Sequence, residues 1–193
     1  VIDTSFGTGG VVITDLGSTD EYASSIAIQP GQGLLVAGST SVSGTQNFAV
    51  AKYDFNGNLV STFGVYGVVE VDFSGGSDSA IEVLVQGDGQ IVVVGSTNPT
   101  SGGQHFAFAR LDGIDGSLDE TFGDSGRLTE DLNSFGGSPL AAKLQADGKI
   151  VVGGFAFGGF PPTDFDFALL RLTADGQLDS TFNGDGVVVT GLK

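Results

Sequence analysis

The chain has 193 residues, and its 23 acidic residues against 7 basic ones give a net charge of −16. This excess of acid argues against a nucleic-acid partner and against anionic membrane surfaces, since both attract clusters of Lys and Arg. The absence of Cys excludes disulfides and thiolate metal sites, and no apolar run is long enough to predict insertion into a membrane.

A five-residue phrase recurs four times along the chain, and we call it the closing phrase. It occupies residues 3–7, 60–64, 119–123 and 179–183, and its phenylalanines are Phe6, Phe63, Phe122 and Phe182. A period near 60 residues over the whole length predicts one repeated supersecondary unit. We therefore expect a single repeat domain over residues 1–193, with repeats at about 3–59, 60–118 and 119–178 and an extra strand at about 179–193.

Each repeat contains runs rich in β-branched and aromatic residues, separated by Gly, Asp, Asn and Ser, which predicts four short strands. The predicted first strand lies at 10–16, 68–73, 127–132 and 187–192, and the second at 23–29, 80–86 and 139–145. The third lies at 34–40, 91–97 and 150–156, and the fourth at 48–54, 106–112 and 167–173. Asp-Gly pairs between the second and third strands predict type I′ hairpin turns.

These strands predict the fold class. No segment carries the apolar spacing of an amphipathic helix, so we expect an all-β protein. Four antiparallel strands per unit predict a β-propeller-type array of four-stranded blades, with three full repeats plus one extra strand. The third strands are apolar on both faces, as expected of strands buried between neighbouring blades.

Three motifs in the third repeat carry a family resemblance. They read Gln-x-Asp-Gly-Lys-Ile-Val-Val-x-Gly at 145–154, Asp-Phe-Ala-Leu-x-Arg-Leu at 166–172 and Asp-Gly-x-Leu-Asp-x-Thr-Phe at 175–182. In this order they resemble the bacterial delta-60 repeat, although Gly31 and Val60 depart from it in the earlier repeats. The resemblance implies a propeller-type module of a secreted or surface-attached bacterial protein, with no defined catalytic activity. We therefore expect an extracellular or cell-surface location and a structural or binding role.

The number of blades leaves two alternatives for the partners of this chain. Closed propellers have four to eight blades, so three blades would leave apolar faces bare at both ends. The chain lacks Met and opens on Val1, which favours a piece of a longer array of the same repeat. Alternatively, two copies join as a homodimer in a six-bladed ring.

Oxygen-rich turns follow the predicted fourth strands and suggest a calcium site. Asp54, Asn56 and Asn58 alternate around a glycine, and Asp112 and Asp115 have a similar layout in the second repeat. Calcium prefers six to eight oxygen ligands, which would fit a calcium-dependent adhesion domain. The alternative is that these residues only form turns, since Asp and Asn side chains cap their own backbone.

A basic residue recurs at one position of each fourth strand: Lys52, Arg110 and Arg171. We expect structural ion pairs with the acids of the closing phrases (Asp3, Asp119, Asp179) or with those at the first-strand ends (Asp15, Asp72, Asp131). The alternative is a ring of charge that binds an anionic ligand.

The third repeat departs from the others in its connection after the third strand. Phe155, Phe157 and Phe160 stand beside Pro161 and Pro162, where the other repeats have polar residues. On a loop, these aromatic residues predict a binding patch for a glycan or a protein ligand, and the alternative is a cap over the end of a blade. A hydrolase of unrecognised type remains the rival class, although no Gly-x-Ser-x-Gly elbow or phosphate-binding loop is present.

Overall fold

The computed structural model describes residues 1–42, 44–73, 75–100, 103–132, 136–158 and 164–191. These residues form twelve β-strands and no helix, so the predicted all-β class is confirmed. The strands make three antiparallel sheets of four strands each, which confirms the predicted blades. None of the described segments is a helix able to cross a membrane.

Each sheet is a meander in which neighbouring strands are also neighbours in sequence. The first sheet contains β1 (Glu21–Gln29), β2 (Gly33–Val42), β3 (Thr45–Tyr53) and β4 (Val68–Val71). The second contains β5 (Ser77–Val85), β6 (Ile91–Asn98), β7 (His105–Leu111) and β8 (Arg127–Glu130). The third contains β9 (Gly137–Leu144), β10 (Ile150–Phe157), β11 (Phe165–Leu172) and β12 (Val187–Thr190).

Each sheet takes its strands from two successive repeats. The second, third and fourth strands of a repeat come first, and the first strand of the next repeat adds the outer edge. The extra strand predicted near residue 187 is β12, which completes the third sheet by pairing with β11. The strand predicted at residues 10–16 is wrong, since only Thr8 and Val11 form an isolated bridge there. Within the described part of the chain, no strand pairs with residues 10–16 in a ladder.

The hairpin turns differ from the predicted type I′ turns. In the second sheet, the Gln86 N–H donates to the Gln90 carbonyl at 2.8 Å, and the Gly89 N–H donates to the Gln86 carbonyl at 3.0 Å. Gly89 has a φ of +94°, whereas Asp88 is not among the non-glycine residues with positive φ. These features describe a three-residue loop with a glycine bulge, in which only the last loop residue is left-handed. The Asp88 carboxylate accepts the Gln90 N–H at 3.1 Å, which explains why Asp precedes Gly.

Two buried apolar clusters hold the sheets together face to face. One joins the first and second sheets, and the other joins the second and third. The inner strand β5 contacts β1 on one side and β9 on the other, so the inner strands lie next to one another. The middle sheet is therefore covered on both faces, and its central strand β6 is buried from Ile91 to Thr97. The phenylalanines of two closing phrases, Phe63 and Phe122, are fully buried within these clusters.

A glycine on the second strand of each sheet allows a close backbone approach. Gly38, Gly95 and Gly154 each lie opposite a β-bulge on the first strand of their sheet. A Cβ atom on Gly95 would overlap the Ser79 carbonyl oxygen and would lie 2.6 Å from Cζ of Phe48. The recurring glycine therefore lets the bulged strand and the aromatic core approach each other.

We expect Gly95→Ala to lower the free energy of unfolding by about 1–3 kcal/mol, because the added methyl group forces the backbone of β5 or the Phe48 ring to move. Chemical denaturation measures the loss. Gly87→Ala is the matched control, since a Cβ atom there meets nothing within 4 Å and no left-handed φ is involved. Equal stability of Gly95→Ala and Gly87→Ala would contradict the close approach.

Candidate functional site

Arg110 on β7 connects its own closing phrase to the next sheet. Its Nε atom donates to Oδ2 of Asp119 at 2.9 Å, and Nη2 donates to Oγ1 of Thr121 at 2.8 Å. The guanidinium lies 5.0 Å from the centre of the Phe122 ring. Its Nη1 atom donates to the Ala174 carbonyl of the third sheet at 2.7 Å. The closing phrase therefore holds the arginine so that one nitrogen reaches the neighbouring sheet.

Arg171 on β11 has the same local contacts. Its Nε atom donates to Oδ2 of Asp179 at 2.7 Å, Nη2 donates to Oγ1 of Thr181 at 3.0 Å, and the guanidinium lies 4.7 Å from the Phe182 ring centre. Lys149 adds a second cation 3.0 Å from the Asp179 carboxylate. Within the described part of the chain, no loop carbonyl occupies the place that Ala174 has beside Arg110. The third sheet thus presents an inter-sheet donor without a following sheet.

Among the described residues, no carboxylate forms an ion pair with Lys52, and Val60 stands where the other closing phrases have Asp. The Lys52 ammonium is buried and donates to the Gly113 carbonyl at 2.6 Å and to Oε1 of Gln32 at 3.1 Å. It also lies 5.5 Å from the Phe63 ring centre. Burial lowers the pKa of Lys52, and the charge of Asp112 offsets part of this shift.

The two aspartates of the closing phrases are held in the charged form. Burial acts to raise the pKa of Asp119, but hydrogen bonds from Thr121 and the charge of Arg110 outweigh it, so the pKa lies below its ordinary value. The hydrogen bond from Thr181, together with those from Lys149 and Arg171, holds the pKa of Asp179 well below its ordinary value. Both carboxylates are therefore ionised partners of the bases at neutral pH.

Glutamine side chains complete the connection between sheets, and the sequence analysis missed them. In each pair of sheets, a glutamine and the recurring base donate to one loop carbonyl, an arrangement that we call the inter-sheet lock. The donors are Gln29 (3.0 Å) and Lys52 for the Gly113 carbonyl, and Gln86 (3.1 Å) and Arg110 for the Ala174 carbonyl. The recurrence of glutamine at positions 29, 86 and 145 was the sequence signal that could have revealed this role.

The first calcium candidate is a turn whose carboxylate already has donors. Oδ1 of Asp54 accepts the N–H groups of Asn56 at 2.8 Å and of Asn58 at 2.9 Å, and Oδ2 accepts the Asn58 side-chain amide at 2.9 Å. The hydrogen bonds from Asn58 lower the pKa of Asp54. The structure therefore brings these three residues together as a capped turn.

The second calcium candidate has the same character. Oδ1 of Asp112 accepts the N–H groups of Ile114 at 2.8 Å and of Asp115 at 3.1 Å, and Oδ1 of Asp115 accepts that of Ser117 at 2.8 Å. In the described ranges, no group of three or more acidic or histidine side chains is arranged to hold a metal ion. The hydrogen bonds show that these residues form turns. Calcium binding at the turns stays a prediction.

Three phenylalanines form an aromatic cluster at one end of the third sheet. The ring centres of Phe155 and Phe165 are 5.1 Å apart, and Phe157 lies 5.6 Å from each of them. Phe157 was expected on the connecting loop, and Phe155 stands both in that connection and at the end of the predicted third strand. Both lie on β10, because its ladder with β11 continues to the pair Phe157 and Phe165. Phe165 on β11 was missed, and Phe160 lies outside the described residues. We call Phe155, Phe157 and Phe165 the aromatic rim.

Comparison with known families gives one match, and it follows the repeats. The family described as a domain of unknown function (DUF5122) beta-propeller matches residues 34–63, 86–122 and 145–182. Each matched segment runs from the hairpin or the second strand of a sheet to the phenylalanine of the closing phrase. No curated protein matches the chain.

We expect Arg110→Ala to destabilise the chain by about 3–4 kcal/mol, because it removes a buried partner of Asp119 and a donor to the third sheet. Arg171→Ala is the matched comparison, since the Arg171 side chain is more exposed and contacts no neighbouring sheet in the described part of the chain. For this variant we expect a loss of about 1–2 kcal/mol. Equilibrium unfolding in denaturant measures both values. A loss for Arg171→Ala as large as that for Arg110→Ala would refute the inter-sheet contribution.

The depressed pKa of Asp119 predicts a dependence of stability on pH. The carboxylate stabilises the folded chain above its ordinary pKa of 3.8, and this contribution is lost as the pH falls through the folded-state value. Asp119→Asn should therefore lose less stability than the unmodified chain on acidification below about pH 4. Burial raises the pKa of Asp78 and of Glu130, but both act equally in the two proteins. Urea titrations at a series of pH values measure the free energy of unfolding of both proteins. An equal loss in the two proteins on acidification would rule out this role of Asp119.

Proposed function

Because the chain belongs to the family of β-propeller domains described as DUF5122, we propose that it is a non-catalytic structural and binding module of an extracellular or surface-attached bacterial protein. The extracellular location is supported by the delta-60-like motifs, and the net charge of −16 favours solubility. The matched family supplies the propeller repeat and leaves the ligand open.

A structural role for the polar groups supports the proposal that the module is not an enzyme. Arg110, Asp119 and Thr121 engage one another and a loop carbonyl of the next sheet. Asp54 and Asp112 are engaged by N–H groups of their own turns. Catalysis requires a nucleophile and a base that are available to a substrate, whereas these groups are committed to holding the sheets and turns.

The aromatic rim is the observation that carries the binding proposal. Its three rings contact one another, and Phe165 is 66% exposed. The corresponding positions of the middle sheet are Ser96, Asn98 and Gln104, and there the Gln104 amide donates to the Ser96 hydroxyl at 2.9 Å. The third sheet thus has apolar ring surface where the middle sheet has a polar pair, and such surface suits the apolar face of a glycan or an aromatic or aliphatic peptide side chain.

We expect Phe157→Ser combined with Phe165→Ser to weaken ligand capture by at least about tenfold, because two of the three rings of the rim are removed. Binding is measured on a glycan array and on a display library of short peptides. The matched control is Phe55→Ser, which removes an exposed phenylalanine from a turn of the first sheet.

Equal loss of capture in the Phe55→Ser control, or no ligand on either platform, would contradict the rim as a binding site. Unfolding curves of the variants separate lost binding from lost folding. A screen with generic ester substrates tests the remaining part of the proposal, and turnover above background would contradict a non-catalytic module.

A further inference from the structure

The outer face of the third sheet repeats a face that is buried in the other two sheets. Three positions on the third strand of each sheet point towards the following sheet: Phe48, Val50 and Lys52 on β3, Phe106, Phe108 and Arg110 on β7, and Phe167, Leu169 and Arg171 on β11. In the first two sets, the apolar residues are buried within the inter-sheet clusters, and Lys52 and Arg110 are buried as well. By contrast, Phe167 is 66% and Leu169 is 43% exposed.

The outer face of the first sheet shows the complementary exposure. Val83 on β5 packs against the first sheet and is 2% exposed, whereas its counterpart Ile26 on β1 is 64% exposed. An apolar cavity of about 320 Å³ lies on this face, and Ile26, Val36 and Ala51 contribute to its lining. In the second sheet, the equivalent surface receives Phe48 and Val50 of the preceding sheet.

Residues 3–16, which we call the N-terminal cover, fill part of the same surface. Their contacts repeat those made on the second sheet by the closing phrase at 60–64 and β4. The Gly7 N–H donates to the Asn56 carbonyl at 2.8 Å, as the Gly64 N–H donates to that of Asp115 at 2.7 Å. Phe6 and Val12 surround Gly57, as Phe63 and Val69 surround Gly116. The cover therefore sits where the closing phrase and last strand of a preceding sheet would lie.

Two segments of the chain can consequently occupy the same kind of surface, namely the outer face of the first sheet. One is the N-terminal cover, and the other is the closing phrase at 179–183 with β12, which has no following sheet to pack on within the described part of the chain. β12 is held by backbone pairing with β11 over Val187–Thr190. The cover has no ladder, and its polar anchors are the Gly7 N–H and the Tyr53 hydroxyl, which donates to Oγ1 of Thr14 at 2.7 Å. The cover is thus the more easily displaced of the two.

The polar groups of the two faces match those that form the inter-sheet lock. On the third sheet, Gln145 and Arg171 stand at the positions of the lock donors Gln86 and Arg110. On the first sheet, the carbonyl of Phe55 is in the sequence position of the acceptors Gly113 and Ala174.

We propose that the third sheet of one copy docks on the first sheet of a second copy, and that β12 with its closing phrase displaces the N-terminal cover as it does so. Phe167 and Leu169 then occupy the cavity beside Ile26, and the inter-sheet lock forms between copies. Two such contacts close a ring of six blades, within the range of known propellers. Phe157 stays accessible in this arrangement, because its counterpart Asn98 is exposed in the middle sheet although the third sheet covers that face. Phe155 becomes covered, since its counterpart Ser96 is only 5% exposed.

The proposal is tested in the full chain with variants that weaken the attachment of the N-terminal cover to the first sheet. Phe6→Ser with Val12→Ser removes its two apolar anchors, and we expect the dissociation constant of the dimer to fall by at least about tenfold, because a competing occupant is weakened. Sedimentation equilibrium measures this as a shift from 19.5 kDa to twice that mass. Ile13→Ser is the matched control, since Ile13 belongs to the cover but is 92% exposed, and it should behave as the unmodified chain.

Two further variants complete the test. Tyr53→Phe removes one polar anchor of the cover with little risk to folding, and it should strengthen association in the same direction by a smaller factor. Phe167→Asp added to the loosened chain should abolish association. The proposal is overturned if the Phe6→Ser, Val12→Ser variant stays monomeric, or if it still associates after Phe167→Asp is added. It is also overturned if the Ile13→Ser control associates as strongly as the Phe6→Ser, Val12→Ser variant. Because the rim is intact in all these variants, a failure here leaves the ligand-binding proposal to its own test.

Discussion

The inter-sheet lock is the interaction on which the arrangement of the sheets depends. Apolar faces provide most of the driving force for stacking, but the hydrophobic effect has no direction and would tolerate sliding of one sheet over the next. A loop carbonyl that receives two buried donors fixes both the distance and the level of adjacent sheets. If the sheets slid, Gln29 and Lys52 or Gln86 and Arg110 would lose their acceptor while still buried, which costs more than a hydrogen bond gains.

The closing phrase explains why the sheets are offset from the sequence repeats. In the closing phrase at 119–123, Asp119 and Thr121 hold Arg110 of the preceding strand. Phe122 packs against that arginine and against Gly176, a turn glycine of the third sheet. The following strand, β8, pairs with β7 of the sheet just completed. One short segment therefore belongs to two sheets at once. At either end of such an array, a segment of this kind has only one of its two sheets. Residues 3–16 accordingly lie on the first sheet, and β12 pairs with β11 of the third sheet.

The sequence predicts the strands and the recurring base well, because alternation and side-chain type act locally. The sequence-based predictions fail where the structure of a residue depends on a partner that is distant in sequence. Residues 10–16 have the composition of a strand but no ladder partner, and Asp-Gly suits the observed glycine-bulge loop as well as a type I′ turn. The role of Gln86 depends on a carbonyl 88 residues away, which no local pattern contains. Phe165 joins the rim only because β10 and β11 pair in the register that places it opposite Phe157.

The first lock differs from the second in a way that limits how far the repeats are interchangeable. A guanidinium serves Asp119, Thr121 and Ala174 at once because its donors diverge within one plane, so Arg110 can bind its own closing phrase and the next sheet together. An ammonium offers donors from a single atom, and Val60 gives it no carboxylate. Lys52 therefore donates to the Gly113 carbonyl and to Gln32 instead. The closing phrase at 60–64 is held by apolar packing around Phe63. In the proposed dimer, the lock between copies would use Arg171 and would therefore be of the arginine type. The Asp179 carboxylate already holds the Arg171 guanidinium in place.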